Sequence, residues 1–182
     1  VSSTEKNFKS NKHLRLVRDI TFSSQELTVK TFNVDYSGVF DGNGMTISDI
    51  RINADTTKSS NAINKQLTSN YEEEDTYDDD NNELTPNRKA TSVGMFAKLS
   101  RGAVVKNLDI TIAELYGTGV NFVGTIAGQV IDSKIYNINV SGSAVVFGHN
   151  IVGGIAGRVE GNSSVVNAKS NVAVTSTYYK IY

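Results

Sequence analysis

The chain has 182 residues, with 18 basic and 19 acidic side chains, no Cys, no Trp and a single Pro, Pro86. That length suits one domain, and the near-balanced charge does not read as a nucleic-acid binder. Without Cys there is neither a disulfide framework nor a thiolate metal site, and no stretch has the long apolar run of a membrane-spanning helix.

Helix signals are scarce from the start. Leu14 and Leu16, then Ile20 and Phe22, make a first short apolar alternation. Leu27 and Val29 make a second, and Ile47, Ile50 and Ile52 a third. Period-two alternation of this kind predicts half-buried strands. Asp41-Gly42-Asn43-Gly44 reads as a turn between them.

Residues 53–92 break the pattern. They hold nine acids and four bases, and the run 71–83 is mostly acid and Asn. Such a segment cannot bury enough apolar surface to offset its ordering entropy, so it is expected to be a largely mobile insertion. Within it, Glu74, Asp75, Asp78 and Asp80 are candidate calcium ligands, because hard cations take several carboxylate oxygens. The run lacks the Gly-containing spacing of a calcium loop, which favours a solvated loop instead.

Downstream the chain repeats itself. Val123-Gly124-Thr125-Ile126-Ala127-Gly128 returns as Val152-Gly153-Gly154-Ile155-Ala156-Gly157, and Val93-Gly94-Met95-Phe96-Ala97 foreshadows both. About a dozen residues after each comes an Asn amid apolar residues: Asn107, Asn137 and Asn167. A fixed period near 30 marks a solenoid, whose repeats cannot bury their apolar faces alone. Like strands so far apart cannot form hairpins, and they are expected to stack in parallel at roughly 4.8 Å per coil. The fold expected is all-β, a right-handed parallel β-helix of about four coils, built from residues 14–52, 93–112, 123–147 and 152–176. The whole of 1–182 is then a single domain carrying the insertion at 53–92. Gly124, Gly153 and Gly154 would let the backbone turn a corner or approach the next coil closely. Ala127 and Ala156 would fill a narrow part of the interior, and Ile126, Ile155 and Phe96 a wider one.

Val123–Gly128 with Asn137, and Val152–Gly157 with Asn167, resemble the GLUG repeat. The upstream run Val39–Ile50, containing Phe40-Asp41-Gly42-Asn43-Gly44, is similar to the stretch that commonly opens such repeats. Leu14–Ile20 resembles the strand before it. The pattern is departed from at Ala127, at Ala156 and at Lys98, where a final Gly is missing. The resemblance covers most of the chain outside 53–92. It implies kinship with pectin-lyase-like right-handed β-helices and placement in large bacterial surface or secreted proteins, including adhesin-like proteins and the amino-terminal regions of some immunoglobulin A metalloproteases. It implies no catalytic motif.

Column counting puts Asp49, Asn107, Asn137 and Asn167 in one structural ladder, in which stacked amides satisfy each other and the turn backbone. A ligand-binding ladder is the alternative. Two residues on, Arg51, Asp109, Asn139 and Lys169 share a second column, expected to be a solvated outer face. Glycosidase chemistry would need two carboxyls within about 5–9.5 Å. Asp41, Asp49, Asp109 and Asp132 are the pool, and no pair among them clusters by column. His13 and His149 are the only histidines, too few for a three-ligand catalytic zinc site.

The function expected is a non-catalytic module of a bacterial cell-surface or secreted protein, a stalk or adhesion surface, without cofactor or metal. A host protein or a glycan surface is the partner class, and nucleic acid is not. The alternative is an accessory domain of a secreted metalloprotease or polysaccharide-degrading enzyme. The chain is read as a segment of a longer protein. Val172-Ala173-Val174 reads as its last strand, and Tyr178, Tyr179 and Tyr182 would either fold back over an open end or form a self-association surface.

Overall fold

The computed structural model describes residues 11–22, 32–53, 71–72, 89–90, 92–117 and 119–177. These form an all-β parallel solenoid, with no helix among the described residues. The chain opens with β1 (Leu14–Arg15), β2 (Ile20–Thr21), β3 (Phe32–Tyr36) and β4 (Val39–Asn53). In the insertion, β5 (Tyr71–Glu72) and β6 (Lys89–Ala90) pair antiparallel in a sheet of their own. The expected mobility of the rest of the insertion, and its calcium candidates Glu74, Asp75, Asp78 and Asp80, lie outside the described residues.

Three coils then follow one plan. The first runs through β7 (Ser92–Val93), β8 (Phe96–Leu99) and β9 (Val104–Gly117). The second runs through β10 (Phe122–Gly124), β11 (Ala127–Ile131), β12 (Lys134–Ser141) and β13 (Val145–Gly148). The third runs through β14 (Ile151–Gly153), β15 (Ala156–Glu160), β16 (Ser164–Ser170) and β17 (Ala173–Ser176). Like strands stack on like. A narrow sheet runs β14-β10-β7, a second β15-β11-β8-β3, and the long face β1-β4-β9-β12-β16. Every pairing in these three sheets is parallel, as the 30-residue period requires.

Register turns sequence repeats into interior columns. Leu14, Phe40, Val105, Ile135 and Val165 stack one on the next. Tyr36, Leu99, Val130 and Val159 form a second column. In the middle layers these residues are buried; Val105, Ile135, Leu99 and Val130 have no exposed surface. Burying each such side chain contributes about 1.5–3 kcal/mol.

The long strands keep apolar residues inward by changing phase. In β9 the buried positions include Val105, then Leu108, Ile110 and Ile112, so alternation skips a residue at Asn107. Asn107 is in the left-handed region at φ 54°, as are Asn137 at 55° and Asn167 at 48°. A left-handed residue bends the strand and resets its alternation, so both flanks point into one core. Asp49, at φ 59°, sits at a comparable reset in β4, between buried Ile47 and Ile50.

Three expectations are corrected here. Residues 14–52 are not one coil: β1 and β2 pair beneath β4 and form a layer of their own. Asp41–Gly44 is not a turn between strands but a bulge within β4, where Asn43 and Gly44 both take positive φ. Phe96 does not align with Ile126 and Ile155; it stacks under Ala127 and Ala156. The cause is one residue fewer between Val93 and Phe96 than between Val123 and Ala127. The large ring suits that place because Tyr36 stacks on it at 4.8 Å between ring centroids and Phe40 meets it edge-on at 5.7 Å.

The repeated glycines answer to crowding between coils. A Cβ on Gly124 would fall against the Ala127 carbonyl oxygen and against Ala156 and Gly157 of the next coil. That neighbour is backbone and cannot swing aside. Gly124→Ala is therefore expected to lower stability by about 2–3 kcal/mol in urea unfolding. Ser143→Ala, on an exposed turn, should stay within about 0.5 kcal/mol of the parent. Equal effects of the two would show that the close approach at Gly124 carries no strain.

Candidate functional site

The left-handed asparagines do more than bend their strands. Their side chains form a hydrogen-bonded column on the outside of the long face. Asn167 Nδ2 donates to Asn137 Oδ1 at 2.9 Å, and Asn137 Nδ2 donates to Asn107 Oδ1 at 3.0 Å. Asn107 Nδ2 donates in turn to Asp41 Oδ1 at 3.1 Å. Asn, Asp and Gly are the residues that enter this backbone region readily, and Asn also brings a donor and an acceptor that can face successive coils.

Asp49 is not part of this column. Its backbone N–H donates to Thr111 Oγ1 at 2.9 Å, further along the strand. In register, Asn107 falls opposite the bulge that follows Asp41, whereas Asp49 lies between Ile47 and Ile50, opposite the stretch from Ile110 to Ile112. Asp41 is the base of the ladder, and sequence reading missed it in that role. The signal was present in Asp41-Gly42-Asn43-Gly44, since Gly42 has no room for a Cβ against Asn107 and Leu108.

Asp41 gathers several partners. The Asn43 backbone N–H donates to Oδ1 at 2.9 Å, and the Lys106 ammonium lies 3.4 Å from Oδ2. The Asn43 N–H, then the Asn107 amide and the Lys106 charge, hold this carboxyl below its ordinary range against the opposing effect of desolvation. Asp41 is thus an ionised anchor. A general acid at neutral pH would need the opposite shift.

The second column also changes in one member. Asp109, Asn139 and Lys169 are in register on successive layers. Arg51 does not join them: it pairs with Glu114, and Thr46 is the residue beneath Asp109. The two columns flank a shallow groove of about 350 Å³, lined by Asp109, Asn137, Ile138, Asn139, Asn167 and Lys169. It presents amides, a carboxylate and an ammonium at the spacing of the coils. That inventory suits a polar ligand laid along the solenoid axis.

The remaining carboxylates have other posts. Asp132 is at a turn, where its Oδ1 accepts the Asn162 N–H at 2.8 Å. His149 lies by Thr177, 3.5 Å from its hydroxyl. No group of three or more His, Asp or Glu side chains suited to a metal ion occurs among the described residues.

Two measurements test these assignments. Asn137→Gly keeps the left-handed backbone and loses only the two amide hydrogen bonds, to Asn107 and from Asn167, so it should cost about 1–2 kcal/mol. Asn137→Ala loses the left-handed preference as well and should cost about 1–2 kcal/mol more than Gly. In an ordinary strand Gly would be the worse residue, so the reversed order in chemical denaturation is diagnostic. The second measurement concerns Tyr36, buried beneath Phe96, whose hydroxyl donates to the Lys12 carbonyl at 2.7 Å. Burial raises its pKa from the ordinary 10.0 to about 12. Below the lower value both states keep the proton and the contribution is complete. Between the two, only the unfolded chain releases it, so stability falls as pH rises. Unfolding free energy should decline over that alkaline window in the parent and decline less in Tyr36→Phe; parallel pH profiles would remove Tyr36 as the source.

Comparison with protein-family models, with curated proteins and with solved structures gave no match.

Proposed function

We propose that this chain is a non-catalytic solenoid module of a bacterial cell-surface or secreted protein, serving as a stiff stalk with an adhesive lateral face. One observation carries the reading: the interior columns run unbroken along the axis, from Leu14 through Phe40, Val105 and Ile135 to Val165. Each further coil of about 30 residues lengthens such a rod by roughly 4.8 Å without disulfide or metal. The GLUG-like repeats add support for bacterial surface placement. The groove between the asparagine ladder and the column Asp109–Asn139–Lys169 offers the adhesive face, with a glycan or a host protein as its partner.

The test immobilises the purified chain and passes over it a panel of glycans and extracellular-matrix proteins. Binding should be saturable and should be lost in Asn139→Arg, which blocks the groove without touching the core. Polysaccharides incubated with the chain should release no reducing ends. Turnover would overturn the non-catalytic reading, and binding indifferent to Asn139→Arg would move the adhesive face elsewhere. Antibody labelling of intact cells that carry the natural protein tests its placement.

A further inference from the structure

Three side chains on the groove face are in register on successive coils and have no partner there. Among the described residues, Asp109, Asn139 and Lys169 are exposed, and none of them makes a side-chain hydrogen bond or an ion pair. Elsewhere on the lateral surface three cations sit against carboxylates: Lys98 against Asp35, Lys106 against Asp41 and Arg158 against Glu160. Asp109 and Lys169 do not pair with each other, because Asn139 stands between them and two coil spacings, about 9.6 Å, separate their backbones. The groove therefore holds a carboxylate and an ammonium at a fixed interval, both unsatisfied.

The amides beside them have donors to spare. Each Asn side chain carries two N–H donors, and within the ladder Asn137 and Asn167 each use one. The second stays available along the groove, again at the coil spacing. On the other flank of the ladder Tyr136 and Val166 are in register, with Val166 57% exposed. The face thus combines charges of both signs, spare amide donors and a small apolar strip.

Those features select one class of partner. A glycan of one charge sign, or of none, leaves Asp109 or Lys169 unmatched, whereas a polypeptide supplies both charges. An α-helix satisfies its own backbone groups and offers none to the spare amide donors. A β-strand repeats its face every second residue, about 6.7 Å, and misses the interval. The polyproline II helix repeats its face every third residue, about 9.3 Å, and its carbonyls have no internal hydrogen bonds. We infer that the groove takes a proline-rich polypeptide in that conformation, laid along the solenoid axis, with an acidic residue at Lys169 and a basic residue three positions away at Asp109. Its carbonyls accept from Asn137 and Asn167, and its proline rings rest on Tyr136 and Val166. This inference rests on the adhesive reading of the groove and narrows it.

Titration of the isotope-labelled 182-residue chain with synthetic proline-rich peptides, followed by NMR, tests it. Peptides with one Glu and one Lys three positions apart, in either order, should bind saturably and shift the amides of Asp109, Asn139 and Lys169. Placing the pair two or four positions apart turns one charge off the face and should weaken binding about tenfold. Lys169→Glu should weaken the mixed peptide by a similar factor and favour one with Lys at both positions. A merely structural effect would not exchange one peptide for the other. Peptides bound equally at every spacing, or not at all, overturn the inference, as does a Lys169→Glu chain that keeps the mixed peptide. If those peptides fail while a glycan or a folded protein still binds in a manner lost in Asn139→Arg, the adhesive reading stands without this partner. If nothing binds through Asn139, both fall.

Discussion

A strand that must wrap a narrow core has to turn without losing a hydrogen-bonded neighbour above or below. In this chain the turn is made by one residue in the left-handed region, at the same height in each of three coils: Asn107, Asn137 and Asn167. An ordinary L-residue there costs about 1–2 kcal/mol. Asn lowers that cost, and its amide bonds the coils across the turn. The bend also resets the alternation, which is why Val105 and Leu108 both face inward although they are three positions apart, an odd step that would otherwise put them on opposite faces. Remove the bend and one flank of every long strand would present its apolar residues to water.

With the bends fixed, the remaining adjustments are made between layers. Phe96 is far larger than Ala127 and Ala156 above it, so the column narrows as it rises. The bulk below is taken up by Tyr36 and Phe40, which pack on the Phe96 ring. Volume is therefore balanced across three layers rather than within one, and the glycines at the adjoining corner keep the backbones close enough for the small residues to pack. Ser100 and Thr125 are exceptions: their hydroxyl oxygens are buried without a hydrogen-bond partner, and nothing in the fold accounts for them.

The parallel solenoid was legible because its signal is a difference between positions. Val123–Gly128 and Val152–Gly157 match almost letter for letter, and the spacing of the asparagines gives the period without any knowledge of the strands. The register near the amino terminus was not legible. Counting assumes coils of equal length, whereas β4 carries a bulge that β9 lacks. Matching Ser48-Asp49-Ile50 to Lys106-Asn107-Leu108 sets β4 four residues out of register at Ile50, which pairs with Ile112; Asp41 rather than Asp49 therefore meets Asn107, and Arg51 meets Glu114 rather than Asp109. Likewise, one residue fewer after Val93 moved Phe96 into the alanine column. The groove could not be read from sequence, since its six lining residues come from three coils and meet only once those coils are in register. Repeats report what neighbouring coils share; bulges and deletions, which set the site, are what they do not share.

The ladder also has an electrical direction. Every amide in it points its N–H toward the amino-terminal coils and its oxygen toward the carboxy-terminal ones. Three aligned amide dipoles add along the axis, much as peptide dipoles add along a helix. Their positive end meets the Asp41 carboxylate, the one anionic acceptor in the column. Hydrogen bonds in a chain polarise one another, so the rung made by Asn167 strengthens the one made by Asn107 two coils away. The stack thus adds to the hold that the Asn43 N–H already has on the Asp41 carboxylate, and a side chain in the outermost described coil is tied electrically to a carboxylate at the opposite end of the column.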